Sequence, residues 1–260
     1  MGMLVNMARA RKVPYPSPQE IIATISKSRF PSIVTEGDDD VIVLRRLEDE
    51  FADIGLTIIP AGGRDAVLAT YELRAMLPSS AQALFIADRD LWVISSVPDH
   101  YVSDEILFTD GYSIENDMFV DGSLEELLVG SARANFLREL EIVCSWYAIA
   151  ANRILRQQDE RLDVHPNELF ESSARRNALL QLEPHEENPE FLAQSIRENY
   201  IRLMRGKTLF ALLIRQLPGY NNRTLLNIGA SRKGALFKKI VRKVESYFLQ
   251  NQDNHIRSVA

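Results

Sequence analysis

The chain has 260 residues, 46% of them hydrophobic and 25% charged, which is enough apolar material for one large core or two smaller ones and excludes wholesale disorder. Its single cysteine, Cys144, excludes an intrachain disulfide and a Cys-rich zinc site and fits a reducing cytoplasm. The net charge of −6 is uneven: residues 201–260 carry twelve Lys or Arg against two acids, while the first 200 residues carry 18 against 34.

An acidic body with a basic tail can hold a polyanion beside a metal site, or the tail can neutralise the body or dock an acidic partner. The N-terminal stretch with Arg9, Arg11 and Lys12 lacks the apolar segment of a signal peptide. No apolar run approaches the roughly 20 residues that span a bilayer. Even Thr208 to Leu217 is interrupted by Arg215. The expectation is a cytoplasmic protein with no membrane partner.

Ser17-Pro18-Gln19-Glu20 is a capping-box pattern with proline at the first helical position, so a helix is predicted from Pro18 to Lys27. Ser32 to Thr35 reads as a short strand. Asp38 to Phe51 follows with a helical face of Val41, Val43, Leu44, Leu47 and Phe51. Leu56 to Ile59 reads as a second strand, Pro60-Ala61-Gly62-Gly63 as a loop, and Arg64 to Leu77 as a helix that Pro78 ends. Gln82 to Ala87 is the third strand. The order β-α-β-α-β calls for right-handed crossovers and a largely parallel sheet.

The chain resumes with Ile106 to Phe108 and the segment Tyr112-Ser113-Ile114-Glu115-Asn116-Asp117. Beyond Ser123 the strand signals fade, and Leu127-Leu128, Phe136–Leu155, Glu168–Leu182, Pro189–Leu203, Thr208–Leu217 and Ser231–Leu249 read as amphipathic helices. A boundary is expected near residue 122: an α/β domain over 1–122, then a helical region over 123–260 for partner, dimer or substrate binding.

Three acids end two of the strands: Glu36 after the first, and Asp88 and Asp90 after the third. The carboxyl edge of a parallel sheet is where α/β proteins keep their sites, and carboxylates converging there suit Mg²⁺ and phosphoryl chemistry. Asp38, Asp39 and Asp40 read instead as first-turn acids favoured by the helix dipole, with Asp38 or Asp40 open to a supporting role at a metal. Arg64 after the Gly-Gly turn is a candidate phosphate contact or an ordinary ion pair. Lys233, Lys238 and Lys239 lie on a basic, apolar-striped segment that can track a phosphate backbone. Gly62-Gly63-Arg64 lacks the lysine and spacing of a nucleotide-binding P-loop, and His100, His165, His185 and His255 show no metal-ligand spacing.

Val34-Thr35-Glu36-Gly37, Pro60-Ala61-Gly62-Gly63 and Phe85-Ile86-Ala87-Asp88-Arg89-Asp90, in that order, resemble the TOPRIM fold of primases, topoisomerases and overcoming-lysogenization-defect nucleases. The resemblance covers about residues 30–120 and implies a Rossmann-like sheet whose Glu36, Asp88 and Asp90 are catalytic and bind Mg²⁺, or Mn²⁺ in its place. Tyr112 to Phe119 further resembles the Ser-Ile-Glu-Asn element of a defence-associated branch, that of the phage anti-restriction-induced system PARIS. This implies Glu115 as a fourth metal ligand. It also implies an antiphage nuclease that is checked by an ATPase partner and cuts host tRNA, and the acidic body adds that the cutting form uses a homodimer or a local basic groove to overcome repulsion from phosphate. A non-catalytic TOPRIM module that regulates an ATPase and a TOPRIM DNA nuclease are the alternatives.

Overall fold

Successive strand residues point to opposite faces of a sheet, and in β1 (Ser32–Thr35) this sends Ile33 into one apolar layer and Val34 into another. The computed structural model describes residues 14–259, with side chains described through Phe248. The Arg9–Lys12 stretch and the His255 side chain lie outside the described residues.

Before β1 comes α1 (Pro18–Lys27), capped by Ser17 through the reciprocal bonds to Glu20 that the sequence predicts. After it come α2 (Asp38–Glu50), β2 (Thr57–Pro60), α3 (Arg64–Glu72), β3 (Ala83–Ala87), α4 (Trp92–Ser95), β4 (Ile106–Phe108) and α5 (Ile114–Asp121). The remainder is helical: α6 (Ser131–Leu155), α7 (Asn167–Glu171), α8 (Ser173–Leu180), α9 (Glu190–Glu198), α10 (Tyr200–Leu203), α11 (Gly206–Gln216), α12 (Asn222–Arg232) and α13 (Ala235–Val259). The sheet is parallel throughout, in the order β2-β1-β3-β4. The protein is therefore an α/β fold of Rossmann-like character followed by a largely helical region. Among the described residues no helix is long and apolar enough to cross a membrane.

One face of the sheet is covered by α1 and α3, whose Ile21, Ile25, Val67 and Tyr71 pack with Val34, Phe85 and Ala87. The other face meets α2 through Val43, Leu44 and Leu47. From there the core runs without a break through Met118 and Phe119 of α5 to Phe136 and Trp146 of α6, Phe210 of α11, Leu225 of α12 and Phe237 of α13. The last strand ends at Phe108, and residue 122 follows the end of α5. It is not a gap between two cores, because α5 is buried from Ile114 to Phe119 and serves both sides.

Helix ends account for the main departures from the periodicity reading. Glu168–Leu182 divides at Ser172, whose hydroxyl caps α8 by accepting the Arg175 amide. The Arg64 helix gives way to a 3-10 turn over Leu73–Met76. The expected Ser231–Leu249 helix is two helices: α12 ends at Lys233, which takes the left-handed conformation at φ 45°, and α13 starts at Ala235. Most of α12 was not foreseen. Both oxygens of the buried Asp121 carboxylate accept the first amides of α13, Leu236 at 3.1 Å and Phe237 at 2.7 Å, which seats that helix on the end of α5.

Gly229 brings α12 against α5 so closely that a Cβ would stand 2.5 Å from the Met118 carbonyl. Helix propensity alone makes Gly229→Ala stabilising by about 1 kcal/mol. The packing makes it destabilising by about 1–3 kcal/mol. Thermal unfolding of the variant is expected to show a lowered midpoint.

Candidate functional site

From β1 the chain crosses to β2 on one side and then to β3 on the other, so the strand order reverses between β1 and β3. At such a reversal the two adjoining loops part, leaving a crevice at the carboxyl ends of the strands. Glu36 leaves β1 and Asp88 leaves β3 at this crevice, and Glu36 Oε1 accepts the Asp88 amide at 2.7 Å. The Gly62 and Gly63 amides donate to the Glu36 carbonyl at 2.7 and 2.9 Å. Both glycines have positive φ, 100° and 136°, which is why this turn is built from glycine.

Two further acids complete the cluster. The Gly37 amide donates to Asp40 Oδ2 at 2.8 Å, turning that carboxylate back over the start of α2. Ser113 donates to Glu115 Oε2 at 2.5 Å, and the Ile114 amide donates to Asp88 Oδ1 at 3.0 Å, so the first turn of α5 fixes both. Glu36, Asp40, Asp88 and Glu115 line one open cleft of about 340 Å³ together with Asp38, Asp39, the glycine turn and Lys207. Each of the four has one carboxylate oxygen anchored and the other without a hydrogen-bond partner among the described residues.

The helical region reaches the cleft through α11. Asn116 donates to the carbonyls of Ile201 and Met204 at 2.5 and 2.9 Å, and the Tyr112 amide donates to the Arg202 carbonyl at 2.9 Å. Gly206 then sits against Ser113 with no room for a side chain. Lys207 follows, its Nζ 3.2 Å from Asp39. Burial works against the Lys207 charge, but Glu115 and Asp39 outweigh it and hold the pKa above the usual lysine range.

Burial raises Glu36 to about 7, an effect that the Asp88 amide opposes and Asp90 reinforces. Burial and then Glu36 raise Asp40 to about 8. Asp88 lies well above its ordinary value, from burial first and then from Glu36, Asp40 and Glu115. These acids repel one another in a poorly hydrated site, which favours protons or a cation among them. Among the described residues, no three His, Cys, Asp or Glu side chains converge into a ready ligand cage.

The site differs from the expected one in its membership. Asp90 does not line the cleft. Its backbone takes φ 48°, its amide donates to Tyr112, and its carboxylate pairs with Arg64 at 3.1 Å. Arg64 is thereby occupied: it also donates to the Arg89 carbonyl and lies over the Trp92 ring at 4.5 Å. Lys233 pairs with Glu50 and Lys239 with Asp110, while Lys238 is exposed on α13. Thus three of the four cations expected to hold substrate are engaged with acids of the α/β layer. Asp40, read as a first-turn acid, is buried in the cluster. Its signal was legible, because Asp40 shares a face with Val43, Leu44 and Leu47. Nothing local marks Lys207, which arrives from far along the chain.

Unfolded, these carboxyls ionise near pH 4. Folded, Glu36 and Asp40 keep their protons to about 7 and 8, so between those limits the native state binds more protons than the unfolded one. Stability of cation-free protein is therefore expected to fall as pH rises from 5 to 8. In thermal scans with EDTA, the midpoint should drop across that range, and millimolar Mg²⁺ or Mn²⁺ should restore it. Asp88→Asn should raise the cation-free midpoint at pH 8 and abolish the response to the ion.

No protein-family model matches the chain, and no curated protein matches it in sequence, so the role of the cleft has to be argued from its own residues.

Proposed function

We propose that the protein is a metal-dependent nuclease in which Glu36, Asp88 and Glu115, backed by Asp40, hold a divalent cation at the reversal of the sheet. The observation that carries this reading is the set of four carboxylates from four elements, each tied by one oxygen and all lining the same cleft. An all-oxygen anionic donor set fits Mg²⁺ or Mn²⁺ better than a softer metal. When bound, such a cation supplies Lewis-acid polarisation of a phosphodiester and neutralises charge that develops on it.

The chain supplies the rest. Lys207 presents an ammonium beside the acids, where it offsets their repulsion toward a phosphate. Glu36 Oε2, the oxygen not tied to the Asp88 amide, is placed to take or return a proton. Asp90 joins the acids only by parting from Arg64. The resemblance to TOPRIM defence proteins extends the proposal to host RNA as substrate, an ATPase partner and a role in antiphage defence, and the acidic body to an active homodimer. A second reading, an interaction module whose acids are structural, is favoured by the lack of a ready ligand cage among the described residues.

The two readings separate on incubation of the purified chain with tRNA, single-stranded DNA and duplex DNA, with Mg²⁺, Mn²⁺ or EDTA. The nuclease reading expects cation-dependent cleavage of at least one substrate, reduced by about two orders of magnitude in Glu36→Gln and in Asp88→Asn. Wild-type protein freed of partners that cuts none of them overturns it in favour of the interaction module.

A further inference from the structure

Beside the acid cleft lies a second cavity of about 610 Å³, and Lys207 lines both. One face of α11 borders it, formed by Lys207, Thr208, Ala211, Ile214 and Arg215 at helical spacing. At about 1.5 Å per residue that face is roughly 12 Å long. The segment from Asp163 to Asn167 and the start of α12 complete the walls.

The two compartments have opposite charge. The acid cleft has Lys207 as its one cation among the lining residues, whereas Arg205, Lys207 and Arg215 line the second cavity against Asp163 alone. Asp163 is already paired with Arg161 at 2.8 Å, and Arg215 with Glu139 at 2.9 Å. Arg205 is different: it is partly buried and forms no ion pair with any described residue. A half-buried guanidinium with no close ion pair keeps its planar set of donors open to an incoming oxyanion. Two neighbouring groups agree. The buried Thr208 hydroxyl lacks a hydrogen-bond partner, a condition that often marks a missing ion or water. His165 Nδ1 accepts the Asn167 amide at 3.2 Å, leaving Nε2 as the donor.

We infer that this groove along α11 binds the phosphate backbone of a single nucleic-acid strand running to or from the acid cleft, with Arg205 as its principal phosphate contact. The inference rests on the nuclease reading for the identity of the ligand. Continuity through Lys207 favours a strand over a free phosphate, since the same chain of phosphates can lie in both compartments. Roughly three stacked nucleotides, at about 3.4 Å each, match the length of the face.

The test is fluorescence anisotropy with labelled 12-nucleotide RNA and DNA strands and the corresponding duplexes, in Mg²⁺, on the full chain carrying Glu36→Gln so that cleavage does not consume the probe. Adding Arg205→Ala should weaken single-strand binding about tenfold and lower the slope of log affinity against log salt by about 0.7. Arg205→Lys should retain that slope, and His165→Ala, an exposed site, should give a smaller loss without changing the thermal midpoint. The proposal is overturned if the parent binds no strand, if duplex binds more tightly than single strand, or if Arg205→Ala leaves binding unchanged. Wild-type cleavage with Arg205-independent binding removes the groove and leaves the nuclease. Arg205-dependent binding without any cleavage does the reverse.

Discussion

Asn116 directs its amide to the carbonyls of Ile201 and Met204, and the arrangement of the cleft follows from that joint. The bonds clamp the first turn of α5 between the sheet edge and the helical layer. With the turn held, the Ile114 amide meets Asp88, Ser113 meets Glu115, and Gly206 brings Lys207 to the acids. The helical region is therefore part of the site's construction. A hydrogen bond between uncharged groups contributes only about 1 kcal/mol net to stability, but leaving the buried Asn116 amide unpaired costs more, so the joint is specific as well as stable.

Charge separation along the chain becomes charge pairing across the fold. Lys207, Lys233, Lys239 and Lys243 meet Asp39, Glu50, Asp110 and Asp104, so much of the basic tail answers acids of the first half. All four lie at least partly in solvent, where water and salt screen each pair and leave it little net effect on stability. Their larger effect is to lower the self-repulsion of the acidic body. The cations left over decide where a polyanion can approach, and Arg205 stands out because Asp90 and Asp163 act on it only at a distance, without a close ion pair.

The strand ends were legible because their chemistry is local. An apolar run stopped by an acid, a Gly-Gly turn and a capping box at Ser17 need no tertiary information, and Glu36, Asp88 and α1 lie where those signals put them. Asp90 was not legible in the same way, since Arg64 at the start of α3, itself seated over the Trp92 ring, draws its carboxylate into an ion pair. Most of α12 was missed because Asn222 to Arg232 mixes Asn, Thr, Gly and Ser with few apolar residues; its burial against α5 and α2, not its propensity, makes it a helix. Lys233 was expected on a helix face because its neighbours continue the periodicity on both sides. Its left-handed backbone instead breaks the run, and Gly234 beside it is pressed against Asp121 with no room for a side chain.

A cluster of buried acids is destabilising unless something answers each charge, and the fold limits the problem in three ways. Backbone amides or a hydroxyl take one oxygen of every member, which lowers the cost of ionisation without filling the cleft. Lys207 is brought in from α11 as a counter-charge at the rim. Asp90, a fifth acid within electrostatic reach of Glu36, is drawn away by Arg64. What remains uncompensated is one oxygen without a hydrogen-bond partner among the described residues on each of four carboxylates that line one cleft. A site whose only purpose was stability would have no reason to keep them unsatisfied, because replacement by amides or apolar groups would remove the repulsion. Keeping them is understandable if the missing partner is a divalent cation, and the paired anchoring keeps the free oxygens oriented for its arrival.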